Sequence, residues 1–496
     1  MLRQQFKNPH YLTGGEHIMN GTRTVENYID GGWCTADDYF DAVDPATGEP
    51  LVRAPASTER DVDAAVHAAR RAFRTWRFVN PAVRARYLHA IGDGVSSRQR
   101  ELAEAVTAEM GKTISEATSE VTKLAAAFHF YAEEATRVYG DIVPNDSDGY
   151  SSQIYREPVG VVGAITPWNY PLELIGWKLC AAVAAGCAIV VKPSQFASLS
   201  PALLFDIIGS VGLPAGVANL VFGHGRAGSA LVAHRGVDKV AFTGSTSTGA
   251  AIARSVPTAK PLTMELGGTC PMIVTDKADV AAAVTGAARR GFRNAGQICI
   301  AVNRIYAHDS VYDEFVDGLT AAVETLVTGN GMTEGVDVGA MATRAGLDVV
   351  VKHIDDARDK GGRVTVGGAL LPDLGPGHFH QPTVVAECTD DMVLMQDETF
   401  GPVVGVMRYT DLDTAVEMAN GTDSGLAAYV FTRDLEQTHE LGRLLDFGNV
   451  AVNNVDAGIM NAPYGGRKGS GFGTEHGKEG LENYLQYKHL RIRYGS

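Results

Sequence analysis

Between Gly160 and Gly268 short apolar runs alternate with helical segments, and no other feature restricts the fold of this chain as much. Strands are expected at residues 159–165, 188–191, 218–221 and 239–242, with helices at 175–185, 201–208 and 227–234 between them. Parallel strands cannot be joined by a tight hairpin. Each needs a crossover, usually a helix, so the pattern specifies βαβ units on a parallel sheet. A second alternating α/β block is expected over residues 273–453. Ahead of both, residues 58–137 carry apolar side chains at three- and four-residue spacing, as in Val62, Ala65, Val66, Ala69 and Phe73. That is a helical period, and Ser57 or Thr58 is placed to cap the first helix.

The 496 residues make about three domains at roughly 150 residues each, or two large ones. Lys and Arg total 43 against 58 Asp and Glu, a net charge of −15. Such a chain repels a phosphate backbone, so nucleic acid is not an expected partner. The cysteines Cys34, Cys180, Cys187, Cys270, Cys299 and Cys388 form no C-x-x-C pair and no zinc spacing with histidine. No metal is expected, and this usage points to a reduced, cytoplasmic protein. The first twenty residues lack an apolar signal-peptide core. The longest apolar run, residues 179–191, is too short to span a bilayer and reads as buried core, so no membrane partner is expected.

At the ends the pattern changes. Residues 1–22 read as a loose polar tail. Residues 140–156 read as a polar β-hairpin, and Leu490-Arg491-Ile492-Arg493-Tyr494 as an edge strand that has to pair with something.

Several segments hold residues suited to chemistry. Phe242-Thr243-Gly244-Ser245-Thr246 runs from a strand into a helix, where backbone N–H groups can hold a phosphate; an ordinary β–α turn looks the same. The rigid Ile165-Thr166-Pro167-Trp168-Asn169-Tyr170-Pro171 turn either fixes an Asn amide as an oxyanion donor or ties it to a loop carbonyl. In Asn294-Ala295-Gly296-Gln297-Ile298-Cys299, small residues would let a planar ligand approach the sulfur, although most free cysteines are small buried hydrophobes. Glu265, before Leu266-Gly267-Gly268, and Glu398, before Thr399-Phe400-Gly401-Pro402, each read as a base or as a paired carboxylate.

Taken in order, these segments resemble the aldehyde dehydrogenase superfamily over nearly the whole chain. Lys192-Pro193-Ser194 and Pro463-Tyr464-Gly465-Gly466, with Lys468, Ser470 and Gly471, complete the likeness. The resemblance implies an α/β fold: a Rossmann-like cofactor domain (residues 1–138 and 157–267), a second α/β catalytic domain (268–476), and a small β oligomerisation element (139–156 and 477–496). It implies an NAD(P)-dependent, non-CoA-acylating enzyme that oxidises a small-molecule aldehyde to the free acid. Cys299 would be the nucleophile, forming a thiohemiacetal and then a thioester. The Asn169 amide and the Cys299 backbone N–H would hold the oxyanion, and Glu265 would be the general base for hydrolysis.

The same resemblance assigns Glu398 to the nicotinamide ribose, with Phe400 beside it, Lys192 to the adenosine ribose, and Trp168 and Ser245 to the pyrophosphate. Ile165, Thr166, Ser194, Gly225, Phe242, Gly244 and Leu266 fall at further cofactor positions. Gln195 stands where the family often has a Glu that repels a 2′-phosphate, so NAD and NADP are both open. For the substrate, Trp177 resembles the general aldehyde enzymes and favours a broad aliphatic or aromatic range. Arg293 resembles the succinate-semialdehyde branch, whose Arg binds a distal carboxylate. A non-catalytic homologue is the remote alternative, and the intact Asn169, Glu265, Cys299 and Glu398 speak against it. A homo-oligomer is expected, with a tetramer favoured over a dimer.

Overall fold

The computed structural model describes residues 17–19, 22–256 and 259–494. Among these, the first large sheet has eight strands. Its parallel core is Leu262–Glu265, Lys239–Thr243, Val161–Ile165, Ala188–Lys192 and Ala218–Leu220, in that spatial order. Short antiparallel strands close its edges: Gly471–Phe472 on one side, Asn27–Ile29 and Gly32–Cys34 on the other. Nearly every residue of the parallel core is buried, as expected when helices cover both faces.

The crossover helices are Glu173–Ala185, Leu199–Val211, Gly225–Ala233 and Thr246–Ser255. The first three lie where the strand–helix alternation put them, with boundaries moved by a few residues, and the fourth begins where Phe242-Thr243-Gly244-Ser245-Thr246 runs from strand into helix. Leu199–Val211 starts earlier than expected because the Glu109 carboxylate accepts from the Leu199 and Ser200 N–H groups. Pro201 then falls in the first turn, where its missing N–H costs nothing. The helical region splits into Glu59–Trp76, Pro81–Ser97, Gln99–Met110 and Ile114–Ala135. Thr58 caps the first, its N–H and hydroxyl both donating to Asp61.

The second sheet has seven strands, ordered Arg363–Val366, Thr383–Ala386, Val403–Tyr409, Val302–His308, Cys270–Val274, Ala427–Phe431 and Asn449–Val452. All neighbours are parallel except the first pair. The two large sheets each have their own buried apolar cluster. The chain passes between them at Leu266-Gly267-Gly268-Thr269.

The remaining strands correct two expectations. Leu485–Arg493 pairs antiparallel with the chain's own Tyr150–Pro158, which also pairs with Asp141–Val143. The C-terminal strand therefore satisfies one edge within its own chain. Its other edge has no partner among the described residues, and Tyr487, Leu490 and Tyr494 stand exposed beside it. Of the loose tail, His17–Met19 forms a strand against Thr22–Thr24; residues 1–16, 20 and 21 lie outside the described residues. No described helix is long and apolar enough to cross a membrane.

Candidate active site

The carboxyl ends of three neighbouring parallel strands meet at one edge of the first sheet. Lys192 lies beside Ile165, and Ile165 beside Phe242. Ligands of open α/β sheets bind in the crevice beyond such ends. Here the crevice is a cleft of about 560 Å³. Ile165, Thr166 and Trp168 form one wall, Lys192, Ser194 and Gln195 the next, and Gly225, Phe242, Gly244 and Ser245 the third. Two helices begin on it, at Gly225 and at Thr246, so unpaired N–H groups and positive dipole ends face one space. A Cβ added at Gly225 would meet nothing within 4 Å, so the backbone there lies open to a ligand.

This cleft fits an anionic dinucleotide. Lys192 is buried without an ion-pair partner among the described residues, and desolvation lowers its pKa to about 8. The Thr166 hydroxyl is buried with no partner. Gln195 Oε1 accepts from the His224 ring at 2.8 Å.

Leu266, Glu398 and Phe400 do not line that cleft; they carry its line toward the second sheet. Leu266 packs under the helix at Gly249. Phe400 meets Trp168 edge to face at 5.6 Å. Glu398 Oε1 accepts from the Gly268 N–H at 3.1 Å, and burial raises its pKa to about 7. The glycine at 267 lets the Glu398 carboxylate approach the backbone closely, since a Cβ there would push that carboxylate aside.

Cys299 follows a strained turn. Asn294, Ala295 and Gly296 have φ of 53°, 52° and 70°, three left-handed residues in succession. Only glycine takes that region freely, so the surroundings must hold the other two. Asn294 is held at both ends: its N–H donates to Glu116, and its side-chain amide to the Asn169 and Gln297 carbonyls. Asn169 Nδ2 reaches the same turn, donating to Gln297 O at 3.0 Å. The Asn169 carbonyl also accepts from Lys112, which forms a fully buried ion pair with Glu120 at 2.6 Å. The donor amide and the thiol are thus locked to one short segment.

Cys299 Sγ lies 3.6 Å from the Tyr464 hydroxyl. Burial pushes the thiol up to about 12, and the Glu398 and Glu265 carboxyls add to that, so it rests protonated. Both Glu265 carboxyl oxygens are buried without a partner. Its pKa is raised well above the carboxylate range, first by desolvation, then by Glu475; Lys178 opposes this.

Beside Cys299 opens a small cavity of about 80 Å³. Trp177 and Tyr464 form an aromatic wall, their rings 5.6 Å apart. Lys123, Arg290 and Arg293 also line it. Lys123 faces Glu173 at 3.8 Å and Arg290 faces Asp456 at 3.0 Å. Arg293 closes no direct ion pair among the described residues; its side chain donates to Ser119 Oγ at 3.5 Å, and Glu116, Glu173 and Asp456 lie near enough to favour its charge.

Comparison with known proteins agrees with this geometry. The model of the aldehyde dehydrogenase family matches residues 33–490. The chain belongs to that family. It is 40% identical to the 3-sulfolactaldehyde dehydrogenase of Pseudomonas putida over 93% of this chain and 96% of that protein. It is 38% identical to the mitochondrial succinate-semialdehyde dehydrogenase of Oryza sativa subsp. japonica, covering 95% and 90%. A crystal structure described as an E. coli NADP-dependent enzyme superposes with a TM-score of 0.93 at 37% identity, over 94% of this chain and 98% of that one. The protein is an NAD(P)-dependent aldehyde dehydrogenase.

Sequence reasoning gave no role to several residues of this aldehyde dehydrogenase site. Tyr464 lies in the Pro463-Tyr464-Gly465-Gly466 segment, but nothing in its neighbours places it on the thiol. Lys112 and Glu120 lie in the helical region without any local motif that marks them as a buried pair. Lys178 donates to Glu475 and Thr243 at 2.6 Å, completing the surroundings of Glu265. A usable signal was Lys178 itself, a lone cation inside an otherwise apolar helix.

Proposed function

We propose that the enzyme oxidises a short aldehyde with a distal anionic group to the free carboxylic acid, with Cys299 as nucleophile. Arg293 carries this reading. It lines the Cys299 cavity and closes no direct ion pair with the carboxylates around it, so its guanidinium can pair with a carboxylate on the substrate. The cavity's small volume favours a short chain. Two of the relatives named above act on aldehydes with an anionic far end.

Glu265 takes the Cys299 proton, directly or through one water, and the thiolate sulfur bonds to the aldehyde carbon. The Asn169 amide and the Cys299 N–H donate to the oxygen as it gains charge. Lys192, Ser194, Gln195, the helix starts at Gly225 and Thr246, and Glu398 would hold NAD(P)+, which would supply the acceptor for the hydride leaving that carbon. A thioester on Cys299 remains. Glu265 releases the Cys299 proton to solvent and then takes one from water as it attacks; the carbon–sulfur bond breaks to give the acid and the Cys299 thiolate, which takes the proton back from Glu265. A carboxyl whose pKa is raised by burial is a stronger base once it has lost its proton.

The Trp177–Tyr464 wall supports a second reading, a broad range of uncharged aliphatic and aromatic aldehydes. Succinate semialdehyde and propanal separate the two. Arg293→Leu should lower kcat/KM for succinate semialdehyde about 30- to 100-fold, the range for a lost charge-assisted hydrogen bond, while changing propanal far less. Equal losses on both would favour the broad range.

Residues 1–138 and 157–267 would bind cofactor, residues 268–476 supply the thiol, and the three-stranded sheet join subunits. The bare edge of Leu485–Arg493 supports that last role.

A further inference from the structure

Two buried polar atoms at the aldehyde cavity have no partner in the protein: His476 Nε2 and Trp177 Nε1. The His476 ring is anchored through Nδ1, which lies 3.2 Å from the Ile459 carbonyl. A carbonyl can only accept, so the proton sits on Nδ1 and Nε2 presents a lone pair. Burial holds the ring pKa down at about 4, and Lys123 and Lys178 push the same way, so the ring is neutral near pH 7. The Trp177 indole N–H is a pure donor. The two rings meet edge to face, 4.1 Å between centroids and 82° between planes. Tyr464 touches both and also reaches the Cys299 sulfur.

The backbone adds an independent sign. His476 has φ 60° and ψ 176°, a region almost reserved for glycine. Strain of this kind persists where the surroundings over-determine the residue, and it gathers at ligand clamps. Gly477, next in the chain, also has positive φ, so the segment is turned sharply to bring the imidazole to the cavity.

We propose that His476 and Trp177 form a hydroxyl-reading subsite, and that the preferred aldehyde carries a hydroxyl one or two carbons from the carbonyl. A hydroxyl donates to His476 Nε2 and accepts from Trp177 Nε1 through a single oxygen, which suits so small a cavity. An aldehyde without it leaves a donor and an acceptor buried and unpaired. Sites built to bond a substrate hydroxyl discriminate strongly against the analogue lacking it. The substrate class is then a short hydroxyaldehyde, with the distal anion left to Arg293. This rests on the proposed oxidation at Cys299.

The test uses 2-hydroxypropanal and propanal, with kcat/KM for both measured in each protein. The ratio cancels any general loss of activity. A hydroxyl also activates the carbonyl chemically, so the deciding comparison is between wild type and variants. His476→Leu removes the acceptor; Trp177→Phe keeps a ring and removes the N–H. Each should cut the hydroxyaldehyde preference about tenfold or more. In parallel, protection of Cys299 from alkylation by 2-hydroxypropanoate and by propanoate reads the subsite without turnover. Wild type should be protected better by the hydroxy acid, and the variants equally by both. Unchanged ratios in both variants, or equal protection of wild type by both acids, overturn the proposal. If wild type oxidises neither aldehyde, both of which lack the distal anion, succinate semialdehyde tests the proposed oxidation, while the protection assay decides the hydroxyl subsite.

Discussion

The cofactor cleft and the aldehyde cavity share the turn at residues 166–170, yet they are built from opposite materials. Glycines, hydroxyls and helix starts make the cleft, and Lys192 is the one charged side chain lining it among the described residues. Charged and aromatic side chains make the cavity, brought together from residues 123, 173–177, 290–300, 456–464 and 476. The contrast follows from the ligands. Phosphates and ribose hydroxyls are met by backbone N–H groups wherever strands end and helices begin, so the fold itself supplies most of that site. A small aldehyde has few atoms to recognise, and its choice falls to a handful of side chains.

If the two regions work independently, Cys299→Ala should cut aldehyde oxidation about 10⁴-fold or more while leaving cofactor affinity unchanged. Calorimetric titration with NAD and NADP beside the rate measurement checks both; a matching loss of affinity would mean the regions are one unit. Asn169→Ala removes an oxyanion donor and should lower kcat about 10²- to 10³-fold, with a smaller effect on KM. A fall in kcat of less than tenfold would leave the Cys299 N–H as the main donor.

Lys112→Met tests the support beneath the shared turn. It leaves the Glu120 carboxylate buried and unpaired, which should cost about 3–5 kcal/mol of stability. A thermal midpoint within a degree of wild type would show that water or a rearrangement replaces the ammonium.

The smallest effect belongs to the cleft alone. Desolvation lowers the Lys192 pKa to about 8, so its ammonium loses its proton earlier than a free lysine does as pH rises. NADP affinity should therefore fall relative to NAD between pH 7 and 9, by severalfold, and Lys192→Met should flatten that dependence. A pH-independent ratio in wild type would mean that Lys192 does not meet the 2′-phosphate.

That the strands are parallel and joined by helices was legible because each is a short apolar run followed by a helical segment, whereas their spatial order came only with the structure. Strand ends such as Lys192 and Glu265 were legible for the same reason. His476 was not, since a histidine between Glu475 and Gly477 looks like any polar loop residue until the turn at positive φ is seen. Nor was the pairing of Leu485–Arg493 with Tyr150–Pro158, because alternation marks a strand but does not name its partner.

By itself the sequence determined the α/β fold, the family, and the presence of a cysteine, an amide and two glutamates suited to thioester chemistry. Those properties are carried by local periodicity and by contiguous motifs. Only the tertiary structure decided that Arg293 closes no direct ion pair, that Tyr464 reaches the sulfur, and that His476 and Trp177 present an unpaired acceptor and donor. Whether a buried polar group is satisfied depends on neighbours hundreds of residues away in the chain, and burial, which raises Glu265 and Cys299, exists only once the two sheets have closed around them.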